Sequence, residues 1–360
     1  MRVAVLGAGG LGLAYTAFLI EHGHDPILWS PSGAGTSAFR DSALLVATGQ
    51  VTGSFSLQIA TSCQEALEGA DVVLVALRGN GHRAIFDQAV EFLRPNQMVV
   101  ISSHSSLGAL YLSKRLVGLG IHVPVTAWGT TVLTAHRKGE AGVDIPNYRA
   151  KVDMATVPVT DQERGLQACQ AMFGDHFQVR ADVMAISLSN INPISHMSNA
   201  LCNLTRIERA EEWANYDCIT GAVGRLIEAL DKERLAVADA YGVSVRTFQE
   251  HNHLSFGVRM GTVAEMSAAI HAIRGGPPGP KSLDSRYVTE DVPFGLVPAV
   301  AIGRTAGIPM PLHEAGIKLF SALYGRDFSA ENDILPELGL DGMDAETLHR
   351  LVRNGWDGKD

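Results

Sequence analysis

Charged residues are scarce in this 360-residue chain, at 19%, and the basic ones are in the minority. The 29 Lys and Arg residues stand against 38 Asp and Glu residues, which gives a net charge of -9. A nucleic-acid partner requires a basic face that neutralises phosphates, so this balance argues against one. Hydrophobic residues make up 46% of the chain, which excludes extended disorder. At roughly 150 residues per domain, the length predicts two domains.

Cysteine is also rare, and its four positions lie far apart, at Cys63, Cys169, Cys202 and Cys218. No two of them form a CxxC pair, so the spacing predicts neither a metal site nor a disulfide framework. This cysteine usage is typical of a reducing compartment, and we expect a cytoplasmic protein.

One apolar run, residues 3–20, is long enough to suggest a secretory leader or a membrane anchor. Four glycines interrupt it, and Glu21 and His22 close it without a clear cleavage pattern. We therefore expect no export and no membrane partner.

What the first half of the chain does contain is an alternation of short aliphatic runs with helical patterns. The aliphatic runs lie at residues 3–6, 26–29, 72–76, 98–102, 123–127 and 151–158, and the helical patterns at 11–22, 82–93, 107–116 and 161–173. This order predicts an α/β domain with a Rossmann-type, doubly wound parallel sheet over residues 1–181.

After residue 181 the pattern changes to long helix-compatible stretches. They lie at residues 183–212, 221–241, 263–273 and 294–306. We expect a mostly α-helical second domain over residues 182–360, interrupted by the dense Pro and Gly segment 275–280. Its helices offer apolar surface for a homodimer.

The turn after the first strand fits the pattern G-x-G-x-x-G, and a helical pattern follows it directly. Its predicted cofactor-binding residues are Gly7, Gly9, Gly10, Leu11 and Gly12. In such a turn the glycines allow a tight bend and a close approach of a pyrophosphate, which the helix N-terminus attracts. In this context the motif predicts dinucleotide binding.

The end of the second strand indicates which dinucleotide is preferred. An NAD-specific site offers an acidic residue there, whereas this chain offers Ser30, and Asp25 lies before the strand. A small hydroxyl residue leaves room for a 2′-phosphate, which Arg40 could bind. We expect NADP(H) to be favoured, with NAD(H) also accepted if Ser30 is only a loop residue.

The apolar segment 187–196 contains two asparagines and a histidine. Asn192 and His196 are four residues apart and so share a helical face, and Pro193 is expected to kink the helix. Buried polar groups need partners, and a substrate or cofactor would supply them. A lone histidine of this kind is more often a satisfied core residue, so both interpretations stay open.

A second motif, Arg286-Tyr287-x-x-Glu290-Asp291-Val292, runs into Gly-Leu-Val-Pro at residues 295–298. With the glycine loop and the Asn-x-Asn-x-x-x-His segment before it, the chain resembles the opine dehydrogenase family, which includes octopine and nopaline dehydrogenases. The resemblance covers nearly the whole chain. It implies that the catalytic histidine is His196 and that its partner aspartate is Asp291.

The resemblance also implies the reaction, in which a nicotinamide cofactor reduces the imine formed from a 2-oxo acid such as pyruvate and an amino acid. A histidine suits the proton exchange that this needs. Arg286 could bind a substrate carboxylate as a bidentate fork or simply pair with Glu290. The other candidate substrate-binding residues are Asn190, Asn192 and Thr131.

Two other functions compete with this one. Ketopantoate reductases and glycerol-3-phosphate dehydrogenases, which reduce a 2-oxo acid or ketone, share the architecture but protonate the carbonyl with a lysine on a helix of the second domain. This chain has no lysine between residues 181 and 230, and Lys232 lies in a charged run typical of a solvated face or an ion-pair cluster. A catalytically silent nucleotide sensor is disfavoured because His196, Asp291 and Arg286 occur together.

Overall fold

The computed structural model describes residues 1–40 and 43–357 and divides the chain into two compact units. The first unit comprises Met1–Ser187 together with the residues from Arg350 onward, and the second comprises Leu188–His349. The sequence-based boundary lay after residue 181 and extended the second domain to residue 360. In the structure the division comes a few residues later, and residues 350–357 belong to the first unit.

Contacts of Trp356 and Arg353 hold this segment against the first unit. The indole Nε1 of Trp356 donates to the carbonyl of Leu110 at 3.1 Å, and Lys114 Nζ lies 4.4 Å from the centre of the Trp356 ring. Arg353 Nη1 lies 3.8 Å from a carboxylate oxygen of the fully buried Asp182. These contacts join residues far apart in the chain, so no local sequence pattern predicts them.

The strands, numbered along the chain, are β1 (Arg2–Leu6), β2 (Asp25–Trp29), β3 (Leu45–Gly49), β4 (Gly53–Phe55), β5 (Gln58–Ile59), β6 (Val72–Val75), β7 (Met98–Ile101), β8 (Val125–Trp128), β9 (Leu133–Lys138), β10 (Gly142–Tyr148), β11 (Val152–Val157) and β12 (Phe177–Val179). The main sheet has the order β12-β11-β8-β7-β6-β1-β2-β5. All its neighbours pair in parallel except β11 with β8. The predicted doubly wound α/β fold is confirmed, with this one antiparallel pair as a difference.

A second sheet, of order β4-β3-β10-β9, was not predicted. Helix α1 (Gly10–Glu21) packs against strands of both sheets, and its residues 12–19 are all buried. A helix that is apolar all round requires burial on every side. The N-terminal apolar run therefore forms a core strand and a core helix, and none of the helices in the described ranges is long and apolar enough to cross a membrane.

The remaining helices of the first unit are short. They are α2 (Ser37–Arg40), α3 (Cys63–Leu67), α4 (His82–Ala89), α5 (Gly108–Gly118), α6 (Gln162–Phe173) and α7 (Val183–Leu188), which ends at the unit boundary. The helices that follow are α8 (Asn192–Cys202), α9 (Leu204–Glu208), α10 (Gly221–Ala240), α11 (Phe248–Phe256), α12 (Val263–Arg274), α13 (Arg286–Thr289), α14 (Val297–Thr305), α15 (Pro311–Tyr324), α16 (Leu335–Leu338) and α17 (Ala345–Asn354), with a π-helical turn at Val292–Leu296.

The predicted long helix over residues 183–212 is divided into α7, α8 and α9. Pro193 lies in the first turn of α8, where its missing N–H costs no hydrogen bond. The expected kink at Pro193 is therefore wrong, because the helix begins there. The long helix α10 packs against α8, α12, α14 and α15 and so forms the centre of the second unit.

Candidate active site

The glycine loop makes a tight turn between β1 and α1. Gly7 has a φ of +113°, and its N–H donates to the carbonyl of Trp29 at the end of β2. A methyl group on Gly12 would lie 1.7 Å from the carbonyl oxygen of Gly7. Only glycine allows helix α1 to start so close to β1.

The same loop leaves space where a dinucleotide needs it. Gly9 is the N-cap of α1, no side chain caps the helix, and its first turn contains no acidic residue. A methyl group on Gly9 would meet nothing within 4 Å. The N–H groups of Gly10 and Leu11 therefore begin a buried helix with an open N-terminus, which fits a pyrophosphate.

Arg137 on β9 reaches this loop, and the sequence analysis missed it. Its Nη1 donates to the carbonyl of Ala8 at 2.9 Å, and its Nη2 donates to the carbonyl of Gly35 at 3.2 Å. A methyl group on Gly10 would lie 3.1 Å from the backbone N of Arg137. The second sheet thus brings a permanent positive charge to the glycine loop. No signal in the sequence places β9 there.

The turn after β2 holds the two residues predicted to select the cofactor. The Gly33 N–H donates to the carbonyl of Ser30 at 3.0 Å, and Gly33 has a left-handed φ of +67°. A methyl group on Gly33 would lie 3.4 Å from Nη2 of the exposed Arg40. The structure therefore brings the Arg40 guanidinium to the same turn as Ser30.

Thr131 lies in the loop that leaves β8, at the carboxyl edge of the parallel strands. Strand β7 ends at the same edge, and its loop places Ser103, Ser106 and Leu107 at positive φ, a conformation that such residues rarely adopt. Burial lowers the pKa of His104 in this loop to about 3, so its Nε2 accepts the N–H of Ala109 as a neutral ring at 3.1 Å.

The predicted histidine and aspartate meet in the second unit. The Nδ1–H of His196 on α8 donates to Oδ2 of Asp291 at 2.6 Å, and the side chains are 16% and 8% exposed. This hydrogen bond fixes the proton on Nδ1 and leaves Nε2 available for proton exchange.

Close packing brings the two segments together. Asp291 directly precedes the π-helical turn, and a methyl group on Gly295 in that turn would lie 2.3 Å from Cγ of Pro193 at the start of α8. The Pro193 ring and the bare Gly295 backbone thus allow a close approach, which explains why both motifs carry these residues.

The other predicted residues have more ordinary surroundings. Arg286 Nε lies 3.7 Å from a carboxylate oxygen of Glu290, and the Arg286 side chain is 48% exposed. Asn190 Oδ1 accepts the N–H of Asn192 at 3.1 Å and so closes the start of α8. Asn192 itself is exposed. The charged run that contains Lys232, residues 231–234, is an ion-pair cluster. Arg234 and Asp231 are buried in it, and Lys232 is exposed.

Two family models match different parts of the chain. Residues 179–324 match the alpha-helical domain of the NAD/NADP octopine/nopaline dehydrogenase family, and residues 3–149 match the family model of ketopantoate reductase PanE/ApbA. The family model of the competing enzyme class thus covers residues 3–149, whereas His196 and Asp291 lie in the range that matches the octopine and nopaline dehydrogenases.

Full-length relatives extend the match. The chain is 29% identical to an opine dehydrogenase of Arthrobacter sp. (strain 1C), over 97% of this chain and 98% of the relative. In fold it is similar to octopine dehydrogenase solved with NADH and L-arginine, with a TM-score of 0.80, 13% identity and coverage of 98% and 96%. Yersinopine dehydrogenase solved with NADP+ gives a TM-score of 0.68 at 15% identity, with coverage of 98% and 97%. The helical domain thus matches the octopine/nopaline dehydrogenase family, and over nearly its whole length the chain is similar to an opine dehydrogenase.

Proposed function

We propose that the protein catalyses the NAD(P)H-dependent reductive condensation of a 2-oxo acid with the amino group of an amino acid. The observation that carries the proposal is the hydrogen bond of 2.6 Å between His196 and the nearly buried Asp291. A histidine oriented by a carboxylate is suited to give and take a proton near neutral pH.

His196 Nε2 first accepts a proton from the ammonium group of the amino acid, which frees a lone pair that attacks the carbonyl carbon of the 2-oxo acid. The attacking nitrogen passes a proton to the carbonyl oxygen, which gives a carbinolamine. The imidazolium, stabilised by Asp291, then protonates the carbinolamine hydroxyl group, which leaves as water and gives a protonated imine. When bound, a dihydronicotinamide cofactor would supply the hydride that reduces this protonated imine to a secondary amine. The open helix N-terminus at Gly9 and the nearby Arg137 fit such a cofactor.

An oxidation assay of NADPH and NADH tests the proposal. Pyruvate, 2-oxoglutarate and similar acids are each supplied with and without a panel of amino acids. We expect consumption that requires both substrates. Consumption with the 2-oxo acid alone would instead support the ketopantoate reductase type of reaction, which the match of residues 3–149 favours.

For the cofactor we propose a preference for NADP(H). Ser30 leaves room at the end of β2, and the Arg40 guanidinium lies against the same turn. The relatives solved with NADH and with NADP+ support a fold that accommodates either.

Arg40→Ala should therefore raise the dissociation constant of NADPH by roughly tenfold, because one charge-assisted phosphate contact is lost. The dissociation constant of NADH should not change, and fluorescence titration measures both. Ser30→Asp is the converse variant, which should disfavour NADPH. An equal effect of Arg40→Ala on both cofactors would contradict the assignment.

We propose that Arg286 binds the carboxylate of the 2-oxo acid. Its exposed guanidinium lies on α13, within the segment that carries Asp291, and its pairing with Glu290 leaves other N–H donors available. Arg286→Ala should raise the KM for the 2-oxo acid by roughly tenfold or more, and kcat should change less.

Arg286→Lys retains the charge without the fork and should recover only part of the affinity. Steady-state kinetics at saturating amino acid measures both variants. An unchanged KM in Arg286→Ala would assign the residue to the ion pair with Glu290.

A further inference from the structure

An aromatic ring covers one face of the candidate catalytic histidine. The ring centres of Tyr287 and His196 are 3.7 Å apart, and their planes differ by 6°. Tyr287 and Asp291 are four residues apart, so one segment contacts the imidazole at its face and at its edge. A single hydrogen bond at Nδ1 leaves the ring free to swing about that bond. A stacked ring removes this freedom.

The Tyr287 ring is itself fixed by a hydrogen bond. The side-chain amide of Asn215 donates to the Tyr287 hydroxyl at 2.5 Å. Burial raises the pKa of Tyr287 to about 12, so the hydroxyl stays protonated across the physiological range. Asn215 is only 7% exposed, and a buried amide of this kind holds its partner in one geometry.

Asn215 is in turn hydrogen-bonded to helix α8, which carries His196. Asn199, one turn after His196 on α8, is fully buried, and its Nδ2 donates to the side-chain Oδ1 of Asn215 and, at 3.1 Å, to its backbone carbonyl. Asn203 Nδ2 donates to Oδ1 of Asn199 at 2.9 Å. Tyr287 therefore stacks on His196 and is bonded to Asn215. Asn215 is bonded to Asn199, which lies on the same helix as His196.

The Pro and Gly segment 275–280 is hydrogen-bonded to the turn that carries Asn215. The Asn215 N–H donates to the carbonyl of Pro277 at 3.2 Å, and the indole Nε1 of Trp213 donates to the carbonyl of Pro280 at 3.0 Å. A methyl group on Gly279 would lie 2.0 Å from the Trp213 ring. The segment thus has a structural role that its composition alone does not reveal.

We propose that Tyr287 is a positioning residue for His196. Its hydrogen bond with Asn215 holds the tyrosine ring, which fixes the plane in which the imidazole presents Nε2 to the substrate. The segment 275–280 stabilises this arrangement through its contacts with Asn215 and Trp213. The inference rests on the proposed role of His196 as the group that exchanges the proton.

Three tyrosine variants test the inference. Tyr287→Leu removes the stacked ring and should lower kcat by about 10- to 100-fold, because a misplaced catalytic group costs about that much. Tyr287→Phe keeps the ring and loses only the hydrogen bond with Asn215, so its kcat should fall less. Tyr241→Phe removes another buried hydroxyl, one that bonds Thr305, and should retain normal kcat. The dissociation constant of NADPH should not change in any of them.

A readout without turnover separates this inference from the proposed function. In protein labelled with ¹⁵N-histidine, the Nδ1–H signal of His196, assigned by its loss in His196→Gln, should be sharp and slow to exchange. It should broaden or vanish in Tyr287→Leu. Because this signal needs no substrate, it reports ring order even if the reaction were a different one.

Gly279→Ala tests whether the segment 275–280 stabilises the position of Asn215, because the added methyl group would displace Trp213. It should reproduce the broadened His196 signal and the lower kcat, whereas Gly342→Ala, whose methyl group meets nothing within 4 Å, should change neither. A Tyr287→Leu variant with a wild-type His196 signal, or with a kcat no lower than that of Tyr241→Phe, would overturn the proposal.

Discussion

Replacing His196 with glutamine should lower kcat by about two orders of magnitude or more, because the proposed reaction loses its proton donor and acceptor. Glutamine fills a similar volume and can still donate a hydrogen bond to Asp291, so the fold should persist. The dissociation constant of NADPH should stay within about twofold of the wild-type value, because the glycine loop belongs to the other unit.

His122→Gln is the matched control for this variant. His122 also pairs with a carboxylate, that of Asp161 at 3.2 Å, but its side chain is 65% exposed and lies in the first unit. Its replacement should leave kcat unchanged. Near-normal turnover in His196→Gln, measured under saturating substrates, would remove His196 from the mechanism.

Asp291→Asn should be the other severe variant, with a loss of up to about 10⁴-fold in kcat, the scale seen when an orienting aspartate is replaced in a catalytic triad. Asparagine is nearly isosteric, but it carries no charge to stabilise the imidazolium. It can also offer an N–H to His196, which would favour the wrong tautomer.

The double variant His196→Gln with Asp291→Asn should be no slower than the worse single variant, because the two residues act as one unit. Asp341→Asn serves as the control, since Asp341 is an exposed carboxylate in the same unit. Losses that multiply in the double variant would show that the two side chains act independently.

The features that the sequence predicts are those set by short-range patterns. Strands such as β1 and β6 are continuous apolar runs, and the bend at Gly7 is recognisable because only glycine tolerates it. The partnership of His196 with Asp291 was implied by the resemblance to a family, since the residues are 95 positions apart and no local rule connects them.

The features that the sequence does not predict depend on distant segments meeting. Strand β3 pairs with β10 across about a hundred residues, and the exposed end of β9 carries no clear strand pattern, so Arg137 could not be placed at the glycine loop. The stacking of Tyr287 on His196 likewise depends on the turn at Gly295 and on the support of Asn215. Tyr287 belongs to the motif at residues 286–292, but the motif alone does not predict its contact with His196.

In the proposed reaction a new C–N bond forms during each turnover, and analysis of the product detects this bond. The enzyme is incubated with NADPH, a 2-oxo acid and a ¹⁵N-labelled amino acid that support turnover, and the products are separated by mass spectrometry. We expect one ¹⁵N-labelled secondary amine for each NADPH oxidised. Formation of a hydroxy acid, with the labelled amino acid recovered intact, would contradict it.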